Sequence, residues 1–402
     1  MRGKSPPQRP HTRIAACFLC AVVLFNSCAK KPPETAPTNQ IAETTAPDTE
    51  AALLEEARAL VSLLTDEQLA AQVIMTGVDA RGALSGGEKE RLRRVPAGAV
   101  MLFRKNLDTD REAVRLMIAE INREAVCPLP GGVRLPPFIA VDHEGGDVHR
   151  FTSGVERLPA PLSYFELATR DGREAALLAV EADATRSANE IAALGITMNL
   201  APLAEVLTGE NSAFLGTRSY GSDAEFTADA AAAFMRSMKA AGIACVIKHF
   251  PGNAGDPHVE TSLMRGGAES LREAVAPFAA LISGGGPAAV MVSHIVVPAW
   301  DAERNASLSE VVMKEKLRGE AGFGGIILSD DFSMGAVSGG YDTEKKSVAA
   351  LAAGADMVMA WPRNLVSVHS AILAALENGS LPHARLVDAA SRIVREKLRR
   401  RT

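Results

Sequence analysis

The segment Gly325-Ile326-Ile327-Leu328-Ser329-Asp330-Asp331-Phe332-Ser333-Met334 is an apolar, strand-like run that ends abruptly in two carboxylates. A short apolar run with no polar alternation suits a strand buried on both faces, as in parallel sheets flanked by helices. Seven more such runs occupy 73–78, 99–103, 138–142, 196–200, 245–249, 289–293 and 356–360, separated by longer Ala-rich stretches of helical character. Alternating strand and helix argue for βα units, and eight units of about 40 residues each predict an α/β fold, a single (β/α)8 TIM-type barrel.

A doubly wound sheet is the rival architecture, and the residues at the ends of the runs decide against it. Arg104, Asp142-His143-Glu144, Asn199, Lys248-His249, Ser293-His294 and Asp330-Asp331 each stand directly where apolar sequence stops or close the run itself. Ordinary loop starts would carry Ser, Gly and Asn there. In a barrel, strand ends far apart in sequence converge on one mouth, so these side chains predict one site. No G-x-G-x-x-G or G-x-x-x-x-G-K-[ST] comes after a run, so no nucleotide cradle is predicted, and Gly284 to Gly286 reads as a turn.

The 402 residues are 47% hydrophobic, 23% charged and only 4% aromatic, which supplies ample core and excludes disordered and collagen-like classes. A net charge of −5 with scattered Lys and Arg leaves no footprint for nucleic acid. The ends read differently. Arg2, Lys4, Arg9 and Arg13 precede an apolar run at 14–25, too short to span a bilayer and suited to a signal-peptide core. Ser27-Cys28 at its end resembles the lipobox of bacterial lipoproteins, which makes 1–28 a leader and Cys28 the expected lipidation site. Residues 29–50, rich in Thr and Pro, read as a disordered tether, and 51–402 as the barrel. An exported protein, lipid-anchored to a bacterial membrane on its periplasmic or cell-surface side, is the expectation. Cys127 and Cys245 lack metal-site spacing and read as buried, inert thiols. Residues 386–401 form an amphipathic helix whose Ala389, Ile393 and Leu398 suit packing on the barrel.

A rim carboxylate beside cations can stay ionised and attack an electrophilic carbon, which makes Asp330 the candidate nucleophile and leaves Asp331 as the cap of the next helix. His258, on a Gly/Pro-rich loop after the fifth run, is the candidate proton carrier, with Asp256 two residues earlier to orient it.

Taken together, Val141-Asp142-His143-Glu144-Gly145-Gly146, Lys248-His249-Phe250-Pro251-Gly252 and Ser329-Asp330-Asp331-Phe332-Ser333-Met334 resemble signature segments of glycoside hydrolase family 3, in its single-barrel β-N-acetylglucosaminidase branch. Leu102-Phe103-Arg104-Lys105-Asn106, Asn199-Leu200-Ala201-Pro202 and Thr217-Arg218-Ser219-Tyr220 extend the likeness from about Leu63 to the C-terminus. The resemblance implies a retaining, exo-acting hydrolase of terminal N-acetylglucosamine, on peptidoglycan fragments or related glycans, with no metal or organic cofactor. It further implies that Asp330 is the nucleophile, that the Asp256-Pro257-His258 segment supplies the acid/base dyad, and that Asp142, Arg150, Arg218, Lys248 and His249 hold the sugar's hydroxyls and N-acetyl group. There are three departures from the pattern: Asn253-Ala254 replaces His-Gly, Asp147 replaces Arg, and Glu205 replaces Asp. A second register would put Glu260-Thr261-Ser262 at the dyad, and His258 is preferred because it keeps the spacing to Leu271-Arg272-Glu273. Alternatives are a β-glucosidase-like or phosphorolytic member, or a catalytically silent sugar-binding lipoprotein. A metal-dependent amidohydrolase barrel would need His-x-His on its first strand, and 73–78 contains no histidine.

Overall fold

The computed structural model describes residues 46–258, 262–337 and 342–400. Every predicted run is a strand: β1 (Ile74–Gly77), β2 (Ala99–Leu102), β3 (Phe138–Val141), β4 (Met198–Asn199), β5 (Ala244–Phe250), β6 (Ala289–Val292), β7 (Ile326–Ser329) and β8 (Val358–Met359). They pair in parallel in the order β7-β6-β5-β4-β3-β2-β1-β8. The seam between β7 and β8 closes through Asp356 N–H and Met357 N–H to Ile327 O (2.7 and 3.1 Å) and Ser329 N–H to Met357 O (3.0 Å). The sheet is therefore a closed ring with helices outside it. Because each strand faces side chains of the barrel interior on one side and helices on the other, the runs show no polar alternation.

Short side chains let the helical sheath pack closely. Ala176, Ala184 and Ala188 of the helix Arg173–Ala192, and Ala230, Ala231 and Ala233 of its neighbour Ala224–Ala240, are buried. The second helix starts where Asp223 accepts the N–H of Phe226. The C-terminal helix His383–Arg399 buries Ala389, Ile393 and Leu398 as predicted, starting three residues early. Its end lies under the barrel floor, with Lys397 and Arg400 over the ring of Phe138, the first residue of β3.

The leader and Cys28 lie outside the described residues. The expected tether boundary at residue 50 moves, since the first helix begins at Ala46 in Ala46–Val61. Its physical anchor is Glu50, whose carboxylate accepts from the Arg399 guanidinium (Nε to Oε1 3.1 Å) while the helix packs along His383–Arg399. Cys127 and Cys245 are free and buried, and burial pushes both thiols up, Cys127 to about 11.

Two residues before β8, Asp356 is fully buried and serves four donors. Its Oδ2 accepts from Ile327 N (2.8 Å) and Arg318, and its Oδ1 from Arg385 (2.7 Å) and Arg392 (3.3 Å). Removing it leaves three guanidinium groups around an uncompensated hole. Asp356→Ala is expected to lower unfolding stability by about 3–5 kcal/mol, read as a lower urea midpoint. A loss below about 1 kcal/mol would mean the cluster is solvated rather than structural.

Candidate active site

At the mouth of the barrel a cavity of about 380 Å³ is lined by Asp142, Arg150, Arg218, Lys248, His249, His258 and Asp330. The structure thus brings together seven of the eight barrel residues singled out from the sequence, and the eighth, Asp256, bonds to one of them. Asp142 comes directly after β3, Lys248 and His249 lie on β5, and Asp330 comes directly after β7. The Lys248–His249 and Phe250–Pro251 peptides are cis.

Two buried networks hold these groups. In the first, Asp142 accepts from Lys248 Nζ through Oδ1 and from Arg150 through Oδ2 (2.5 Å). Glu144, almost wholly buried beneath, takes Lys248 Nζ at 2.6 Å and both Arg218 nitrogens at 2.8 Å. Burial would raise Glu144, but Lys248 and Arg218 hold it far below the usual carboxylate range, and burial likewise opposes the Lys248 charge that Asp142 and Glu144 restore. The result is a fixed set of charges whose outer oxygens and N–H groups face the cavity. In the second network, His249 Nδ1 lies 2.6 Å from Glu205 Oε1, which also accepts from Asn253 Nδ2 at 3.1 Å. Two of the three departures from the family pattern therefore touch each other and jointly buttress His249. Asp147, the third, is exposed, bonded to Thr217 (3.0 Å) and outside the cavity lining.

Asp330 is buried, with Oδ1 accepting the Asp331 N–H at 2.8 Å. Burial pushes its carboxyl up, yet His249, His294, the Asp331 N–H and Lys248 together hold it below the ordinary value, so it is anionic at neutral pH. His258 is exposed, and its Nδ1 lies 2.9 Å from Asp256 Oδ1, which also accepts the His258 backbone N–H at 2.9 Å. These bonds leave Nε2 as the nitrogen available to a reacting group, and they lower the Asp256 carboxyl. Residues Glu260 and Thr261 of the second register lie outside the described residues.

Not every strand-end group reaches the cavity. His143 turns away from the mouth toward the helix Arg173–Ala192, Nε2 to Ser187 Oγ at 2.9 Å, while Asn199 brackets it by accepting the His143 N–H (3.0 Å) and donating to its carbonyl (2.9 Å). Burial, helped by His149, pushes the His143 imidazole down to about 3 against an ordinary value of 6.5. Between those values the unfolded chain binds the proton and the native one does not, so stability falls as pH drops below 6.5. His143→Gln is expected to flatten the pH dependence of unfolding free energy between pH ~6.5 and ~5 by ~1.4 kcal/mol per pH unit. Urea titrations at several pH values check it, and an unchanged slope would contradict the assignment.

Asp331, expected to cap a helix, caps a turn instead. It accepts from Ser333 N (2.8 Å) and Oγ (2.7 Å), and it also takes the indole N–H of Trp361 at 2.8 Å. Trp361 and Phe214 line the cavity too, and a reading of charged strand ends misses both. Trp361 sits two residues past β8, so the strand-end rule covers it once aromatic residues count beside charged ones. Phe214, under the Arg218 guanidinium at 5.4 Å, has no such signal. Among the described residues no three His, Cys, Asp or Glu side chains are grouped to hold a metal ion.

A barrel whose mouth gathers an ionised carboxylate, a loop histidine and a ring of hydrogen-bonding charges has the parts a glycoside hydrolase needs. Residues 64–396 match the glycosyl hydrolase family 3 N-terminal domain, and the chain belongs to that family. A beta-hexosaminidase of Tolumonas auensis is 36% identical over 308 residues, 75% of this chain and 86% of the relative. One of Methylococcus capsulatus is 35% identical over 324 residues, covering 78% and 91%. Among solved structures, a β-N-acetylglucosaminidase from Paenibacillus superposes with a TM-score of 0.77 at 29% identity, over 84% of this chain and 63% of that one. The Neisseria gonorrhoeae NagZ bound to N-trifluoroacetyl-D-glucosamine gives 0.68 at 30%, over 80% and 89%. The chain is a glycoside hydrolase of the β-hexosaminidase type.

Proposed function

We propose that the chain is an exo-acting, retaining β-N-acetylglucosaminidase that removes terminal N-acetylglucosamine from peptidoglycan fragments or related glycans. The observation that carries the reading is the single cavity in which ionised Asp330 faces a sugar-sized space ringed by Asp142, Arg150, Arg218, Lys248 and His249. Asp330 attacks the anomeric carbon as His258, protonated at Nε2, gives its proton to the glycosidic oxygen. The C–O bond breaks, the alcohol leaves, and a glycosyl ester on Asp330 remains. Water then attacks the same carbon, His258 takes its proton, and Asp330 is released with the configuration retained. Asp256 orients the imidazole in both steps.

The same proposal places the enzyme outside the cytoplasm, acylated at Cys28, on the strength of the basic residues and apolar run at 2–25. Radiolabelled palmitate incorporated into the full chain and lost in Cys28→Ser is the expected result, and a signal equal in both would remove the anchor. Release of p-nitrophenol from the N-acetyl-β-glucosaminide, without phosphate and in clear preference to the β-glucoside, tests the activity. Dependence on inorganic phosphate would favour the phosphorolytic reading. Binding without turnover would favour the silent sugar-binding protein.

A further inference from the structure

We propose that His294 is a positioning residue for both halves of the reaction, holding the turn 331–336 that aims a hydrogen bond at Asp330 and docks the segment of His258. This rests on the reading of Asp330 as nucleophile and His258 as proton carrier. Ser293 and His294 stand directly after β6, a strand end like those that furnish the mouth, yet neither is among the described residues that line the cavity. Both are fully buried. Their bonds run sideways, to the chain segments at the ends of the two neighbouring strands.

Main-chain pairing of β6 with β7 ends where the Asp330 N–H meets Val292 O at 3.2 Å. Two residues on from Val292, the His294 side chain takes over: Nε2 lies 3.0 Å from Asp331 O, and Nδ1 lies 2.7 Å from Ser307 Oγ. Burial holds the imidazole below its ordinary value, so it is neutral at neutral pH. A carbonyl only accepts, so Nε2 carries the one proton and Nδ1 accepts the Ser307 hydroxyl, which fixes the tautomer. The ring stacks on Phe332 at 5.3 Å and 28°, and the His294 carbonyl accepts from Asn305 Nδ2, so ring and backbone are both held.

The Asp331 carbonyl also takes the Met334 N–H at 3.0 Å, which makes it the closing bond of the turn. At the start of that turn the Asp331 N–H donates to Asp330 Oδ1 at 2.8 Å, the one hydrogen bond that carboxylate receives among the described residues. At its end Gly335 N–H donates to His258 O at 3.2 Å and Ala336 N–H to Pro257 O at 3.0 Å. Nucleophile and proton carrier thus lean on one short stretch of backbone, and His294 fastens that stretch to β6. On the opposite side Ser293 Oγ donates to Gly252 O at 3.0 Å and the Ser293 N–H to Phe250 O at 2.9 Å. The loop that leads to Asp256 is therefore tied to the same place.

The test is kinetic. His294→Phe keeps a ring to stack on Phe332 and removes the donor. On an alkyl N-acetyl-β-glucosaminide its kcat is expected to fall about 10- to 100-fold with KM changed less than about twofold, because displaced reacting groups cost on that order while Asp142, Arg150, Arg218 and Lys248 still hold the sugar. His294→Gln, whose amide nitrogen reaches the place of Nε2, is expected to recover most of kcat. The loss should persist in kcat/KM on the 2,4-dinitrophenyl glycoside, which needs no proton from His258, since Asp330 is misaimed as well. A folded Phe chain with kcat within about twofold of wild type, a Gln chain no better than the Phe chain, or a loss confined to the alkyl glycoside would each overturn the role. If the Phe chain does not fold, Ser307→Ala decides. It leaves the ring in place and frees Nδ1 to carry the proton, so kcat is expected to fall about threefold at constant KM, and an unchanged kcat overturns the role. Wild type that hydrolyses neither glycoside fails the hydrolase reading and this role with it, whereas an active wild type with unaffected variants fails the role alone.

Discussion

Asp330→Asn is expected to lower kcat/KM on the N-acetyl-β-glucosaminide by at least about 10⁴-fold, the scale seen when a catalytic nucleophile is removed. The amide is nearly isosteric, and its Oδ1 still accepts the Asp331 N–H that holds the carboxylate now at 2.8 Å, so the fold and the cavity survive. What disappears is the anion. Burial already works against that charge, and His249, His294, Lys248 and the Asp331 N–H are what keep it, an arrangement with no use for a neutral amide. Because these groups hold the Asp330 carboxyl below 3.8, the acid limb of kcat/KM should lie below pH 3.8. A positive signature accompanies the loss. Azide supplied to Asp330→Ala should restore turnover and yield the α-glycosyl azide, since an external nucleophile then makes the single displacement. Retention of more than about a hundredth of wild-type activity by the Asn chain would remove Asp330 from its assigned role.

The second large effect belongs to His258. His258→Ala is expected to cost about 10²–10⁴-fold on an alkyl glycoside, whose leaving alkoxide needs a proton, and far less on a 2,4-dinitrophenyl glycoside, whose leaving group does not. With the activated substrate the slow step becomes hydrolysis of the glycosyl ester, so a burst of dinitrophenol should precede the steady state. Asp256→Asn should move in the same direction by a smaller factor, because it loosens the Nδ1 contact (2.9 Å) and leaves the imidazole in place. A loss on His258→Ala that is equal for both leaving groups would mark the residue as a binding group instead of a proton carrier.

Much of the barrel and its site is readable from residue order because two different physical rules coincide at a barrel strand end. Burial on both faces makes the strand uniformly apolar, and convergence at the mouth makes the next residue functional, so Ser329 to Asp330 or Ile247 to Lys248 is a visible edge. The rule says nothing about direction. His143 stands between two such groups, yet its side chain turns to Ser187 on the helix Arg173–Ala192, because successive side chains of an extended backbone point to opposite sides and Asp142 and Glu144 both point to Lys248. Nor does it report partnership across the barrel. Glu144 is visible as a charge, but its hold on Lys248 and Arg218 joins positions 104 and 74 residues apart. The lengths of β4 and β8, two residues each, are also hidden, since an apolar run records burial and the ladder records hydrogen bonding. The pairing of Asn253 with Glu205 is legible only as two separate departures, and contact alone shows them as one.

The salt link between Glu50 and Arg399 has a bearing on how the molecule stands. Arg399 lies at the end of the helix that runs under Phe138, while Asp142, directly after the other end of the same strand, lines the cavity at the mouth. The polypeptide therefore enters the barrel from its base. The helix Ala46–Val61 stays at that base and contributes no residue to the lining of the cavity at the mouth.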